Sequence, residues 1–277
     1  MIIKSLFRIT SHKQLVDVDN VSTSIDKVSK HVLILDGEMP VSISSFIEDN
    51  PIGTLIVVDS FGKKNYNAFD IISGAETHLK IVKHLQIYNT NALLCIPNNF
   101  LTFQLNQKLE HTPKIFQVKV VTLSDRAHRG IYKDASGPLV TGMITEYFKN
   151  IGKNVAVNNI IIPDSINNLT DILESAKEDK TDVLITTGGT GIGSRDITVE
   201  TVEKYLDKKI PGIMEMIRIK YGAEKPNALL SRGIAGTMDE TLVYTLPGSV
   251  KAVKEYLTEI FKTLDHLFYM IHNIDNH

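Results

Sequence analysis

Residues Asp182 to Asp196 read DVLITTGGTGIGSRD, and this stretch carries the clearest chemistry in the chain. Gly188, Gly189, Gly191 and Gly193 remove side chains that would block a ligand, and they allow positive φ. Consecutive N–H groups in such a turn can converge into a nest for an anion, and a helix start behind it favours negative charge further. The chemistry this points to is phosphate binding, with Arg195 inside the turn as a fork-shaped partner for phosphate. Two commoner glycine loops do not fit. A P-loop needs Lys-Ser or Lys-Thr after its last glycine, and here Ser194-Arg195 follows Gly193. A dinucleotide fingerprint needs Gly-x-Gly-x-x-Gly after the first strand of its unit, whereas this chain has Gly189-x-Gly191-x-Gly193 after a later one.

Two carboxylates extend the chemistry. Asp164 and Asp196 each stand at a predicted strand end, where either alone could simply cap a helix. Together on a phosphate-binding edge they could hold Mg²⁺, which takes one or two carboxylates plus phosphate oxygens. Other reactive types read more plainly. Arg126 and Arg232 suit surface charges, His128 a solvated loop, and the Met214 and Met216 pair a core or an interface. Cys95 sits in the apolar run Ala92–Ile96 and reads as a core cysteine.

Positioning these groups requires strands that end together. From Ile115 onward strands and helices alternate. Strands are expected over Phe116–Leu123, Val155–Ile162, Val183–Thr186 and Leu242–Leu246. A helix is expected from Pro138 with Ser136 or Gly137 as its cap, and others over Leu169–Ala176, over Ile197–Leu206, after Ile210-Pro211-Gly212, and from Val250 onward. Such alternation predicts an α/β fold with a doubly wound, mostly parallel sheet, in which ligands sit beyond the carboxyl ends of the strands. Ser124-Asp125, Pro163-Asp164, the glycine turn and Pro247-Gly248-Ser249 would then gather on one edge.

The first 114 residues carry weaker signals. Strands are expected at His31–Leu35, Gly53–Asp59 and Ala92–Ile96. An amphipathic helix is expected over Phe69–Tyr88, from the spacing of Phe69, Ile72, Ala75, Leu79, Val82 and Leu85. This predicts a smaller α+β domain over 1–114, joined through the polar, proline-containing linker Asn106–Lys114 to a domain over 115–277.

Composition narrows the partners. The chain has 277 residues, 43% apolar content and a formal charge of −2, so neither nucleic acid nor membrane is expected as a partner. One cysteine cannot form an internal disulfide, no apolar run approaches the roughly 20 residues of a spanning helix, and the first residues lack a signal-peptide core. A cytoplasmic protein is expected.

Residues 115 to about 265 resemble the molybdopterin adenylyltransferase family, whose relatives include the gephyrin G domain. The resemblance rests on Thr122–Ala127, Gly130–Pro138, Pro163-Asp164, Thr186–Gly191 with Arg195–Thr198, Ile210–Gly212, Leu230–Arg232 and Leu246–Ser249, all in the family's order. It implies the molybdopterin-binding fold and a reaction in molybdenum cofactor biosynthesis. AMP passes from ATP to the terminal phosphate of molybdopterin, with Mg²⁺ present and pyrophosphate released. It implies Asp164 and Asp196 as catalytic and metal-holding residues. Thr187, Gly188, Gly189, Thr190, Gly191, Arg195 and Ser231 would bind the pterin's phosphate. Ser124, Asp125, Pro247, Gly248 and Ser249 would bind the nucleotide. A homotrimer or higher homo-oligomer is implied as well, with other cofactor-biosynthesis proteins as further partners. A carrier or scaffold that binds the pterin without transferring AMP is the alternative.

The first unit resembles the cyclic pyranopterin monophosphate synthase family at Leu15–Val18 with Thr23 and at Ile72–Ala75. It departs from that family where Cys-His-Pro should follow, since Leu85–Asn89 stands there instead. The expectation is a degenerate, non-catalytic domain, and a bifunctional fusion retaining synthase activity is the other reading.

Overall fold

The computed structural model describes residues 1–9, 15–23, 31–37, 55–59, 61, 65–87, 89–97, 101–272 and 274. Two units pack internally, Met1–Lys114 and Ile115–His277.

Every described element of the first unit is a strand: β1 (Ile3–Ile9), β2 (Leu15–Asp17), β3 (Asn20–Thr23), β4 (Val32–Asp36), β5 (Leu55–Asp59), β6 (Ile71–Ser73), β7 (His78–Ile87), β8 (Thr90–Pro97), β9 (Leu101–Gln104) and β10 (Glu110–Thr112). The runs VLILD and LIVVD of β4 and β5 are buried on both faces, as continuous β-branched and leucine-rich sequence demands, and they pair in parallel at the middle of the sheet. That sheet runs β10-β6-β7-β8-β4-β5-β1-β2, and β3 pairs separately with β9. Ile3, Leu6, Ile34, Val57, Leu93, Cys95 and Phe103 share its main core. Burial lifts the Cys95 thiol far above its ordinary pKa, which keeps it protonated and inert.

Two expectations for this unit fail. The helix expected over Phe69–Tyr88 is instead the β6–β7 hairpin, with Tyr88 outside the described residues. Phe69 has φ +75°, outside the right-handed helical region, and Gly74 closes a tight turn by donating its N–H to Thr77 O at 2.8 Å. A register shift between Ile81 and Lys83 inserts one residue into β7, so an alternating strand imitates helical spacing. The Ile72–Ala75 helix behind the synthase resemblance is therefore strand and turn. The linker expected over Asn106–Lys114 is also corrected. Leu109 is buried, β10 pairs with β6, and Asp70 holds both His111 Nε2 (2.7 Å) and the Lys114 N–H (2.9 Å).

The second unit alternates as read. Its elements are β11 (Ile115–Leu123), α1 (Asp125–His128), α2 (Ser136–Asn150), β12 (Asn154–Ile162), α3 (Ile166–Glu178), β13 (Val183–Thr187), α4 (Thr198–Glu203), β14 (Lys208–Lys209), α5 (Pro211–Gly222), a 3₁₀ turn (Pro226–Leu230), β15 (Ala235–Met238), β16 (Thr241–Leu246) and α6 (Val250–Ile271). The sheet order is β12-β11-β13-β16-β15-β14, with β12, β11, β13 and β16 parallel. The antiparallel β14 and β15 were not anticipated. Each is too short, at two and four residues, to show a periodicity of its own. The chain leaves β11 for β12 on one side and then crosses to β13 on the other, which makes the β11/β13 boundary the topological switch point.

Helix starts follow side-chain chemistry. Ser124, Ser165 and Ser249 cap α1, α3 and α6 by accepting an N–H three residues on. The expected Ser136 or Gly137 cap of α2 is replaced by the upstream Asp134, whose carboxylate accepts the N–H groups of Ser136 (2.9 Å) and Gly137 (3.1 Å). Val253, Leu257, Ile260 and Leu264 form the buried stripe of α6, while Val250 is exposed and Phe268 takes the inward place beside Leu267. Met214 is buried and Met216 exposed. Among the described residues no helix is long and apolar enough to cross a membrane.

Candidate functional site

The parallel register puts the carboxyl ends of β12, β11, β13 and β16 on one edge, and hydrogen bonds between the following loops draw them together. Ser124 N donates to Ile162 O (3.0 Å), Gly188 N to Leu246 O (3.0 Å) and Thr187 Oγ1 to Pro247 O (3.0 Å). The glycine turn and the Pro247-Gly248-Ser249 turn lie so close that a Cβ on Gly248 would sit 3.4 Å from Gly188 Cα. Gly188 and Gly189 have φ of +101° and +65°. A methyl on Gly188 would strike the Leu123 carbonyl, and one on Gly189 the Thr198 hydroxyl. Glycine is required at both positions by geometry and by space.

The rest of the turn is held from inside and outside. Thr198 Oγ1 donates to Gly188 O (2.9 Å), and Thr198 N to Gly189 O (3.1 Å). Asp196 Oδ2 accepts the Gly193 N–H (2.7 Å), and Asp196 N donates to Gly193 O (3.0 Å). From another segment, Arg232 N donates to Thr190 O (3.1 Å), Arg232 Nε to Gly191 O (2.7 Å) and Arg232 Nη2 to Asp196 O (3.3 Å). Arg232 thus has defined partners, where its type and loop position had suggested only a surface charge. The family motif Leu230–Arg232 marked the position, but contacts across such a sequence separation leave no local pattern that names its partners.

Asp125 and Asp164 lock the neighbouring strand ends. Asp164 N donates to Asp125 Oδ1 (3.1 Å), and Asp125 N donates to Asp164 Oδ2 (3.2 Å). Arg195 forms an ion pair with Asp125 through Nη2 and Oδ2. Asp164 is half-buried; that burial, and then the negative charge of Asp196, push its carboxyl above the usual carboxylate range. A carboxylate held near a second one at the mouth of a sheet is a centre that a cation would relieve. Carboxylates are hard oxygen ligands, and a Mg²⁺ held by one or two of them would take its remaining positions from phosphate oxygens and water. Among the described residues no cluster of three or more His, Cys, Asp or Glu side chains could hold a metal.

Ser231 lies one residue from this clamp. It faces a cavity of about 250 Å³ that it shares with Pro247, Ser249, Lys225, Lys251 and Tyr256. The structure therefore groups Ser231 with Pro247 and Ser249, where the sequence reading had grouped it with the glycine turn. Ser124 and Ser249 spend their hydroxyls as helix caps.

Comparisons with known proteins cover this same second unit. A family model described as a probable molybdopterin binding domain matches residues 119–266. A molybdopterin adenylyltransferase of Helicobacter pylori is 35% identical over 153 residues, covering 54% of this chain and 84% of that protein. Gephyrin of Dictyostelium discoideum is 35% identical over 185 residues, which span 64% of this chain but only 26% of gephyrin. The molybdopterin biosynthesis Mog protein from Mycobacterium ulcerans superposes with a TM-score of 0.51 at 32% identity, over 56% of this chain and 99% of that one.

Proposed function

We infer the function from the premise that the chain belongs to the molybdopterin-binding-domain family through residues 119–266: it is an enzyme of molybdenum cofactor biosynthesis that transfers AMP from ATP to the terminal phosphate of molybdopterin. The observation that supports this reading is that Asp164, beyond the end of β12, lies within the electrostatic reach of Asp196, whose carboxylate holds the glycine turn that follows β13.

The reaction joins two anions. A phosphate oxygen of the pterin attacks the α-phosphorus of ATP, the bond to the β-phosphate oxygen breaks, and pyrophosphate leaves with that electron pair. The chain's part is to bring the anions together and hold them in line. N–H groups of the glycine turn would bind the phosphates, in a site whose donors are fixed before the substrate arrives. Arg195, paired with Asp125 in this structure, would move to a phosphate oxygen. Asp164 and Asp196 would hold Mg²⁺, whose charge would offset that of the phosphates. No side-chain nucleophile takes part. Ser124, Asp125 and the Pro247–Ser249 turn would line the nucleotide side. The first unit would be non-catalytic, and the chain would work as a homotrimer or higher homo-oligomer in the cytoplasm.

The test is pyrophosphate release from ATP on addition of molybdopterin. Release dependent on both substrates and on Mg²⁺ supports the reading. Pterin binding without release would make the chain a carrier.

A further inference from the structure

The glycine turn supplies phosphate donors only if its peptide planes face the right way, and glycines themselves impose no such direction. Something outside the turn has to set it. In a trans peptide the C=O and the following N–H point to opposite sides, and no cis peptide occurs among the described residues. Whatever grips a carbonyl of the turn therefore aims the next N–H away from itself.

Arg232 has that grip at three points. Its own N–H holds Thr190 O, Nε holds Gly191 O and Nη2 holds Asp196 O. The N–H groups sent to the opposite side belong to Gly191, Ile192 and Ile197. Among the described residues, those of Gly191 and Ile192 have no protein acceptor. Ile192 is 79% exposed, so this segment lies at the surface of the unit. The guanidinium is itself fixed, because Glu200 on α4 takes Nη1 and also lies 3.4 Å from Nη2. A planar fork with several donors can serve Gly191, Asp196 and Glu200 at once, which the single ammonium of a lysine cannot do.

We propose that Arg232 is the positioning residue of the phosphate cradle: its side chain, anchored by Glu200, holds the Gly191 and Asp196 carbonyls and so aims the Ile192 N–H, beside that of Gly191, at the bound phosphate. The proposal rests on the phosphate-binding reading of the glycine turn.

Inorganic pyrophosphate titrated into the full-length ¹⁵N-labelled protein tests it. The wild type is expected to bind, with the amide signals of Gly191 and Ile192 among those that shift. Arg232→Ala and Arg232→Lys are expected to bind at least about tenfold more weakly, the scale of losing hydrogen bonds to a charged group, and to lose the Ile192 shift. Millimolar guanidinium should restore part of the affinity to Arg232→Ala and leave the wild type unchanged. Glu200→Gln keeps the arginine but loosens its anchor, and should fall between wild type and Arg232→Ala even if the latter folds poorly. Wild-type affinity and an intact Ile192 shift in Arg232→Lys and Glu200→Gln would overturn the positioning role while leaving the phosphate site standing. A wild-type protein that does not bind pyrophosphate would overturn both.

Discussion

Asp125 and Asp164 exchange hydrogen bonds, each backbone N–H donating to the other's carboxylate at 3.2 and 3.1 Å. The pair ties the carboxyl ends of β11 and β12 together just where the candidate site opens. It also occupies one oxygen of each carboxylate, and the other oxygen of Asp125, Oδ2, pairs with Arg195.

That reciprocity separates two roles of Asp125. Asp125→Asn keeps an oxygen for the Asp164 amide and removes only the charge opposite Arg195. Because Arg195 is mostly exposed, the stability change should stay within about 1 kcal/mol. Asp125→Ala leaves a half-buried N–H without its acceptor and should cost about 1–3 kcal/mol. Urea unfolding midpoints compare them, and equal losses for the two variants would contradict the hydrogen-bond exchange.

The raised carboxyl of Asp164 makes a second prediction. Its folded pKa lies above its unfolded one, so the folded state binds the proton more tightly. The group favours folding below the ordinary carboxylate range, and that contribution is lost as pH rises through the folded pKa. Asp164→Asn should therefore match or exceed wild-type stability at neutral pH, with the difference closing in acid. Asp196→Ala should lower the Asp164 pKa, read from the ¹³C carboxyl shift during a pH titration. A wild-type Asp164 that titrates as an ordinary aspartate would refute the coupling.

The second unit was legible because each of its signals is local. A buried parallel strand is one apolar run, and a glycine turn is contiguous in sequence. The first unit was misread for an equally physical reason. Seen in one dimension, the extra residue at Val82 in β7 shifts an alternating pattern into helical spacing, and only the partner strand β8 reveals the shift. Asp70 shows the same limit. Its hold on His111 and Lys114 converts a polar, proline-containing segment from linker into edge strand, and the contact spans more than forty residues. At the site, the strand ends could be read from sequence, and a motif marked Leu230–Arg232, but the partners of the Arg232 side chain could not be read, since they lie 32 to 41 residues away.

Two glycines provide a matched pair. Gly188→Ala puts a side chain at φ +101° and drives it into the Leu123 carbonyl, so a loss of about 3 kcal/mol or more is expected, together with loss of pyrophosphate binding. Gly142, on the exposed side of α2, would meet nothing within 4 Å. Gly142→Ala should gain about 0.5–1 kcal/mol from helix propensity. Thermal unfolding of the two variants should move in opposite directions.

Glu259 on α6 should contribute to acid stability. Its side chain is 1% exposed and takes hydrogen bonds from Lys220 and Lys262, both at 2.6 Å. These pull its pKa from 4.5 down to about 2. A depressed folded pKa gives stability that is present above the unfolded value and lost as pH falls through the folded one. Wild-type stability should thus decline between pH 4.5 and about 2. Glu259→Gln should start lower at pH 7 and lose less across that window, as followed by circular dichroism in urea at fixed pH. Parallel pH profiles would exclude Glu259 as the source.

Asp196→Asn separates charge from shape at the centre of the site. Asp196 Oδ2 accepts the Gly193 N–H at 2.7 Å, and an asparagine oxygen can accept the same bond, so the turn should keep its form. Arg232 grips the Asp196 backbone carbonyl, which the substitution does not touch. What disappears is one of the two negative charges expected to hold Mg²⁺, and with it the repulsion that adds to burial in raising the Asp164 pKa. The variant should fold with a wild-type unfolding midpoint and an unchanged amide spectrum away from the turn, should still bind pyrophosphate when Mg²⁺ is left out, and should release no pyrophosphate from ATP and molybdopterin above background. Turnover near the wild-type rate would remove Asp196 from the chemistry and leave the glycine turn as a binding site alone.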